Sequence, residues 1–299
     1  MNNLIVTFVL VAFLANSVKG QLIDNSICNA FSDEPFFNTE IVKLNKLRSL
    51  HGTISTKKEL SAIKKSGKSQ HFKFDKKGNL TQQYTTFFRK NKKDTTFILY
   101  NYDNNGNLTT KRTNDVNGFY SYNYEFNQEN DIIKKTYCRD HNKLNSRSSF
   151  ILEKQYVIIK EGYSYKKNDS VVIKNVLNNN GLPYQQVKYI YNSLGYLISE
   201  TKKLLINNKK TTTNYSYNSH GLLSAKKITN NQQKQNVKKT TYLYDELGNL
   251  IEINDFKNNK HITHKEILYD EKTYLLKALI IQDVETNFIK IIKFKASFY

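Results

Sequence analysis

The sequence predicts an all-β fold, a long antiparallel β-meander of hairpin repeats forming one curved or coiled sheet. Three observations predict it. One unit recurs along the chain: aromatic, variable, aromatic, Asp or Asn, two variable residues, a turn residue, one more variable residue and an aliphatic, as in Tyr100-Asn101-Tyr102-Asp103-Asn104-Asn105-Gly106-Asn107-Leu108. The stretches between units alternate with the period of a pleated strand and favour Thr and Tyr, as in Thr211-Thr212-Thr213-Asn214-Tyr215-Ser216-Tyr217. The turn glycines recur at a steady interval, 28 residues from Gly78 to Gly106, 26 from Gly195 to Gly221 and 27 from Gly221 to Gly248. That interval suits two strands of about 8 residues and a second turn.

Each unit has a physical reading. Asp or Asn opening a four-residue turn that Gly closes is the signature of a type I turn followed by a residue of positive φ, a common three-residue hairpin loop. The Asx side chain accepts backbone N–H groups inside the turn, and Gly takes the left-handed conformation without a Cβ penalty. With that loop Tyr102 faces Leu108, and the same count pairs Phe74 with Leu80, Tyr191 with Leu197, Tyr217 with Leu223 and Tyr244 with Leu250. Such pairs contribute about 0.2–1 kcal/mol each. Degraded copies start at Tyr124 and Ile267. In the first, Asn130 replaces Gly and tolerates positive φ; in the second, Thr273 does not, so that turn is expected to change type.

Taken in order, residues 1–20 read as a signal peptide, with an apolar run from Leu4 to Ala15 too short to span a bilayer and a cleavage site before Gln21. Residues 21–45 read as an irregular N-terminal segment with a short helix over Thr39–Leu44 capped by Asn38. Residues 46–299 read as one β-hairpin repeat domain, opened by a strand over Leu47–Ser55 and closed by one over Phe288–Tyr299. Residues 139–180 are the least regular part, where an insertion or a bend of the sheet is expected. No later segment is apolar enough to span a membrane as a helix.

The chain carries 46 Lys and Arg against 26 Asp and Glu, a net +20. A nucleic-acid partner is nevertheless disfavoured, because nearly all of this charge is Lys, spread over most strands, whereas Arg is the residue that forks onto phosphate and guanine. A solvated face that also discourages edge pairing accounts for it. The partner classes that remain are a protein or an anionic polysaccharide.

No catalytic, cofactor-binding or metal site is expected. Counting an EF-hand from Asp103 puts Leu108 and Asn114 where Gly and Glu are required. His261 and His264 lie three apart, on opposite faces of a regular strand, and so cannot share an ion. No G-x-S-x-G, H-E-x-x-H or P-loop occurs in usable context, so the chain is read as a non-enzyme. Cys28 and Cys138 are the two cysteines. In an exported chain they can form one disulfide or stay as independent thiols, and their spacing leaves both open.

The Tyr-x-Tyr-Asp-x-x-Gly-x-Leu units resemble the YD repeats of the Rhs family of bacterial surface and toxin-delivery proteins, over about residues 70–275. The resemblance implies a coiled β-sheet shell. The family's Arg after the turn Gly is here Asn79, Asn107, Tyr196, Leu222 or Asn249, and the Pro- and Asp-containing motif that precedes a toxin domain is missing. The expectation is therefore a small exported YD-repeat protein without a toxin domain, too short to close a shell. Its sheet would serve as a structural or binding surface, with exposed Tyr and Lys on the face opposite the Tyr–Leu pairs as its working residues. The alternatives are a fragment of an Rhs-like toxin shell and an outer-membrane β-barrel, the latter opposed by strands as polar as Lys210–Tyr217.

Overall fold

The computed structural model describes residues 21–299 except 90–91, 116–117, 145, 147–148 and 233–235; the expected signal peptide lies outside the described residues. After a helix α1 (Thr39–Leu44) the chain runs through eighteen strands: β1 (Leu47–Lys57), β2 (Lys64–Phe74), β3 (Leu80–Arg89), β4 (Lys92–Tyr102), β5 (Leu108–Asp115), β6 (Gly118–Phe126), β7 (Ile132–Asn142), β8 (Leu152–Asn168), β9 (Val171–Leu177), β10 (Pro183–Tyr191), β11 (Leu197–Leu204), β12 (Lys210–Tyr217), β13 (Leu223–Asn230), β14 (Lys238–Tyr244), β15 (Leu250–Lys257), β16 (Lys260–Tyr269), β17 (Leu276–Asp283) and β18 (Phe288–Phe298). Each pairs antiparallel with its neighbours in sequence, and β1 also pairs with β18, from Leu47 opposite Phe298 to Lys57 opposite Ile289. The ribbon expected to stay open therefore closes into a barrel. Closure leaves no edge, so the strand lysines have no edge to protect; the outward ones solvate the wall.

The turns form as their residues dictate. The Asp103 N–H donates to the Asn107 carbonyl at 3.0 Å, Gly106 N–H to the Asp103 carbonyl at 3.2 Å, and Asp103 Oδ1 accepts from the Asn105 and Asn107 amides at 2.9 Å each. Those bonds, the Asn107 side chain first among them, hold the Asp103 carboxyl below its ordinary pKa. Phe74 lies opposite Leu80, Tyr102 opposite Leu108, Tyr191 opposite Leu197, Tyr217 opposite Leu223 and Tyr244 opposite Leu250. A bulge accompanies each of these pairs, a feature that strict alternation does not contain. Asn130 takes φ 60° and keeps its turn, whereas after Tyr269 the positive φ moves to Tyr274 and the loop closes through Asp270 N–H to the Leu275 carbonyl, one residue longer.

A second device links repeat to repeat. The hydroxyls of Tyr102, Tyr217, Tyr244 and Tyr269 each donate at 2.9 Å to the backbone carbonyl of the aliphatic residue in the preceding hairpin, Leu80, Leu197, Leu223 and Leu250. Tyr299 does the same to Phe74 across the seam of the barrel. In these four units the second aromatic is thus a Tyr for its hydroxyl as well as its ring, a bond worth about 0.5–1.5 kcal/mol.

The N-terminal segment lies in the bore. Tyr100 on β4 donates to the Asp33 carbonyl at 2.8 Å, Lys111 on β5 pairs with Glu34 at 2.5 Å, and Asn25 donates to the Tyr244 hydroxyl on β14 at 3.3 Å. A segment that reaches opposite walls on one face of a closed sheet is inside it. Leu22, Ile23, Phe36, Phe37, Ile41 and Val42 bury themselves against inward residues such as Leu50, Phe72, Leu250 and Ile292, and this is the hydrophobic core of the molecule. Asn38 caps α1 by accepting from the Glu40 and Ile41 amides.

Candidate functional site

Pairing partners on adjacent strands share a face, so the register sorts the wall into inward and outward rows. Outward on β11–β14 stand Ser199, Thr201 and Lys203, then Lys210, Thr212, Asn214 and Ser216, then Ala225, Lys227 and Thr229, then Lys239, Thr241 and Leu243. Apolar outward residues occur as separate clusters, Tyr84, Phe97 and Leu99 on β3–β4 and Ile280, Ile289 and Ile291 on β17–β18. His51, Thr53, Ser55, Ser69 and His71 on β1–β2 stand between them. The working face expected opposite the Tyr–Leu pairs is therefore not the aromatic one. The repeat tyrosines point into the bore with their leucines.

That bore is filled on one side and open on the other. Where the N-terminal segment ends short of the wall, a cavity of about 680 Å³ lies between its residues Gln21, Asp24, Asn25 and Ile27 and the β10–β14 wall. Tyr191, Tyr196, Tyr215, Tyr217 and Tyr244 supply rings, and Glu200 on β11 supplies a second carboxylate. Tyr196 and Tyr217 stack with centroids 4.8 Å apart. Tyr217 and Tyr244 spend their hydroxyls on the wall carbonyls described above. Glu200 is bridged by Lys202 at 2.8 Å, and Asp24 Oδ1 accepts from the Ser26 amide at 2.9 Å. Asn25 is 4% exposed, and its Oδ1 has no partner. Burial raises the Tyr215 pKa, so its hydroxyl stays protonated.

A second cavity of about 280 Å³ lies further along the bore, lined by Tyr122, Lys135, Tyr137, Ile159 and Glu161. Lys135 sits 4.5 Å over the Tyr122 ring and Lys174 3.7 Å over Tyr163. Burial pulls the Glu161 carboxyl upward, but hydrogen bonds from Tyr184 and Tyr163 outweigh it and leave the pKa below the usual carboxylate range; burial pushes the Lys174 ammonium down.

Of the residues singled out in the sequence, Gly195, Gly221 and Gly248 ring the mouth against the large cavity or the N-terminal segment, Gly78 packs on α1, and Gly106 stands clear of other atoms. The disulfide does not form. Cys28 lies in the bore, while Cys138 faces outward on β7 beside Ser121 and Asn123, so the wall separates the two free thiols. The two histidines also depart from expectation. A bulge at Ile262 puts His261 and His264 on the same face with ring centroids 6.2 Å apart, the outcome that strict alternation forbids. Among the described residues no three His, Cys, Asp or Glu side chains converge as metal ligands.

No family model and no curated protein sequence matches the chain, so the YD-repeat likeness rests on its motif and its turns. Among solved structures, a porin-like protein of Bacteroides uniformis is similar over 85% of this chain and 97% of its own, at 10% identity and a TM-score of 0.39. A porin-like protein of Bacteroides vulgatus is similar over 72% of this chain and 96% of its own, at 10% identity and a TM-score of 0.31. In the TcdB2–TccC3–Cdc42 structure the likeness covers 73% of this chain but 12% of that one, at 16% identity and a TM-score of 0.31. At these values none of the likenesses speaks to what this chain does.

Proposed function

We propose that the protein acts outside the cytoplasm as a non-enzymatic, water-borne β-barrel that binds its ligand in the bore. One observation carries this reading: the sorting of the wall. A lipid-facing barrel needs an outward apolar band about 25 Å tall, and the outward rows of β11–β14 are mostly Ser, Thr, Asn and Lys, with Ala225 and Leu243 among them. The repeat tyrosines and the cavity lie inside. Expressed with its leader and fractionated, the full chain is expected in the periplasm or medium and to stay dispersed without detergent.

A second reading is the outer-membrane barrel. Complete closure, an even number of strands and a segment seated in the bore favour it over the open sheet. No described helix is long and apolar enough to cross a membrane, which leaves a barrel span open. Recovery only from the outer-membrane fraction, with conductance in planar bilayers, would replace the first reading by this one.

A further inference from the structure

We propose that the cavity between the N-terminal segment and β10–β14 is a site for a small organic cation, a primary or quaternary alkylammonium. The proposal rests on the bore-binding reading and names the ligand's chemistry. In a chain of net charge +20, no Lys, Arg or His among the described residues lines this cavity, while Asp24 and Glu200 both do. Five tyrosines line the same cavity, and the negative face of an aromatic ring attracts an ammonium within about 6 Å of its centroid. The acceptor left over is on the N-terminal segment beside Asp24: the Oδ1 of the 4%-exposed Asn25, which lines the cavity, has no partner. Two ring hydroxyls there, those of Tyr191 and Tyr215, bond no acceptor among the described residues, and a tyrosine oxygen can also accept. The cavity thus presents π faces, carboxylates and an amide oxygen. Its complement is a ligand that brings positive charge and, where it carries N–H, donors.

Anions are opposed by both carboxylates. The volume, about 680 Å³, falls within the range of small-molecule sites. Lys202 holds Glu200 from the side at 2.8 Å, which fixes that carboxylate and leaves Asp24 as the freer charge.

Titration of the purified full-length protein with choline, putrescine, glucose and succinate, followed by calorimetry, tests the proposal. Choline or putrescine is expected to bind with one-site stoichiometry, and glucose and succinate not to. Asp24→Asn is expected to weaken binding about 10-fold and Tyr215→Leu about 5- to 10-fold, in line with one cation–π or close charge contact each. Tyr137→Leu, in the second cavity, is expected to leave it unchanged. Circular dichroism and the thermal midpoint of each variant establish that it folds. Preference for glucose or succinate, absence of any binding, or cation binding indifferent to both Asp24→Asn and Tyr215→Leu would each overturn the assignment. Because fractionation tests the water-borne barrel separately, a failed titration on a detergent-free barrel sinks this inference alone.

Discussion

The wall from β13 round through β18 to β4 and the wall over β5–β8 are built from the same repeat, yet they are covered from opposite sides. In the first, inward residues such as Leu50, Phe72, Leu250 and Ile292 are 0–1% exposed because the N-terminal segment lies on them. In the second, the inward Tyr156 and Ile159 remain 58% and 50% exposed. Around β5–β8 the burial is on the outside: Arg112, Asn114, Ser121, Cys138 and Asp140 are buried there, and the Phe150 ring lies 3.9 Å from the Arg112 guanidinium. Arg112 Nε pairs with Asp140 Oδ2 at 2.6 Å, and Gln155 donates to the other oxygen at 2.8 Å. Where this wall is covered, the covered side is the one that a chain segment reaches.

That contrast can be broken at its strongest point first. Phe72→Ala removes a ring packed on Phe36, Phe37 and Phe294 and is expected to cost about 3–5 kcal/mol. Tyr137→Ala, on the wet side, should cost about 1.5 kcal/mol in the same urea titration; equal losses would mean the two walls are not differently packed. Arg112→Ala leaves Asp140 buried without its cation and should cost about 3 kcal/mol. A loss below about 1 kcal/mol, the size of an exposed pair, would mean that the outer cover is absent in solution.

Glycine substitutions sharpen the comparison at the turns. Gly78 has φ +93° and a Cβ there would run into the Thr39 carbonyl, whereas Gly195 has φ +80° and open space around it. Gly195→Ala should cost about 1 kcal/mol of backbone strain. Gly78→Ala should cost more and also release the N-terminal segment to limited proteolysis, which Gly195→Ala should not.

The smaller effects concern single groups. His71, stacked on Tyr84 at 4.8 Å, has its pKa lowered from 6.5 to about 4 by burial, with His51 and Lys73 adding to the shift. Above pH 6.5 it contributes no pH dependence. Between 6.5 and about 4 the unfolded chain takes up a proton that the folded chain refuses, so stability falls, and below about 4 the loss is complete. His71→Phe should flatten that part of the stability profile. Tyr102→Phe, which removes only the bond to the Leu80 carbonyl, should cost about 1 kcal/mol.

The local half of this architecture was legible and the global half was not. Asp103, Gly106 and Leu108 determine their own turn and register, because every partner lies within six residues. Closure depends on Leu47–Lys57 meeting Ile289–Phe298, and neither strand carries a mark that distinguishes a seam from an edge. The segment in the bore left a fainter signal: Leu22-Ile23, Phe36-Phe37 and Ile41-Val42 are apolar pairs without strand or helix periodicity, the pattern of a chain buried on several sides. The cavity was illegible for the same reason as closure. Asp24, Asn25, Glu200 and Tyr244 come together only when the wall curves back around the segment.

The seam also fixes an order of events. Every ladder except that of β1 with β18 joins strands consecutive in the chain and can zip as soon as both are made. The last one must bring together positions such as Ile54 and Ile292, and its loop-closure entropy grows only as the logarithm of that separation. Hairpins are therefore fast and sealing is late, so an interrupted chain would expose two raw edges and aggregate while it waited.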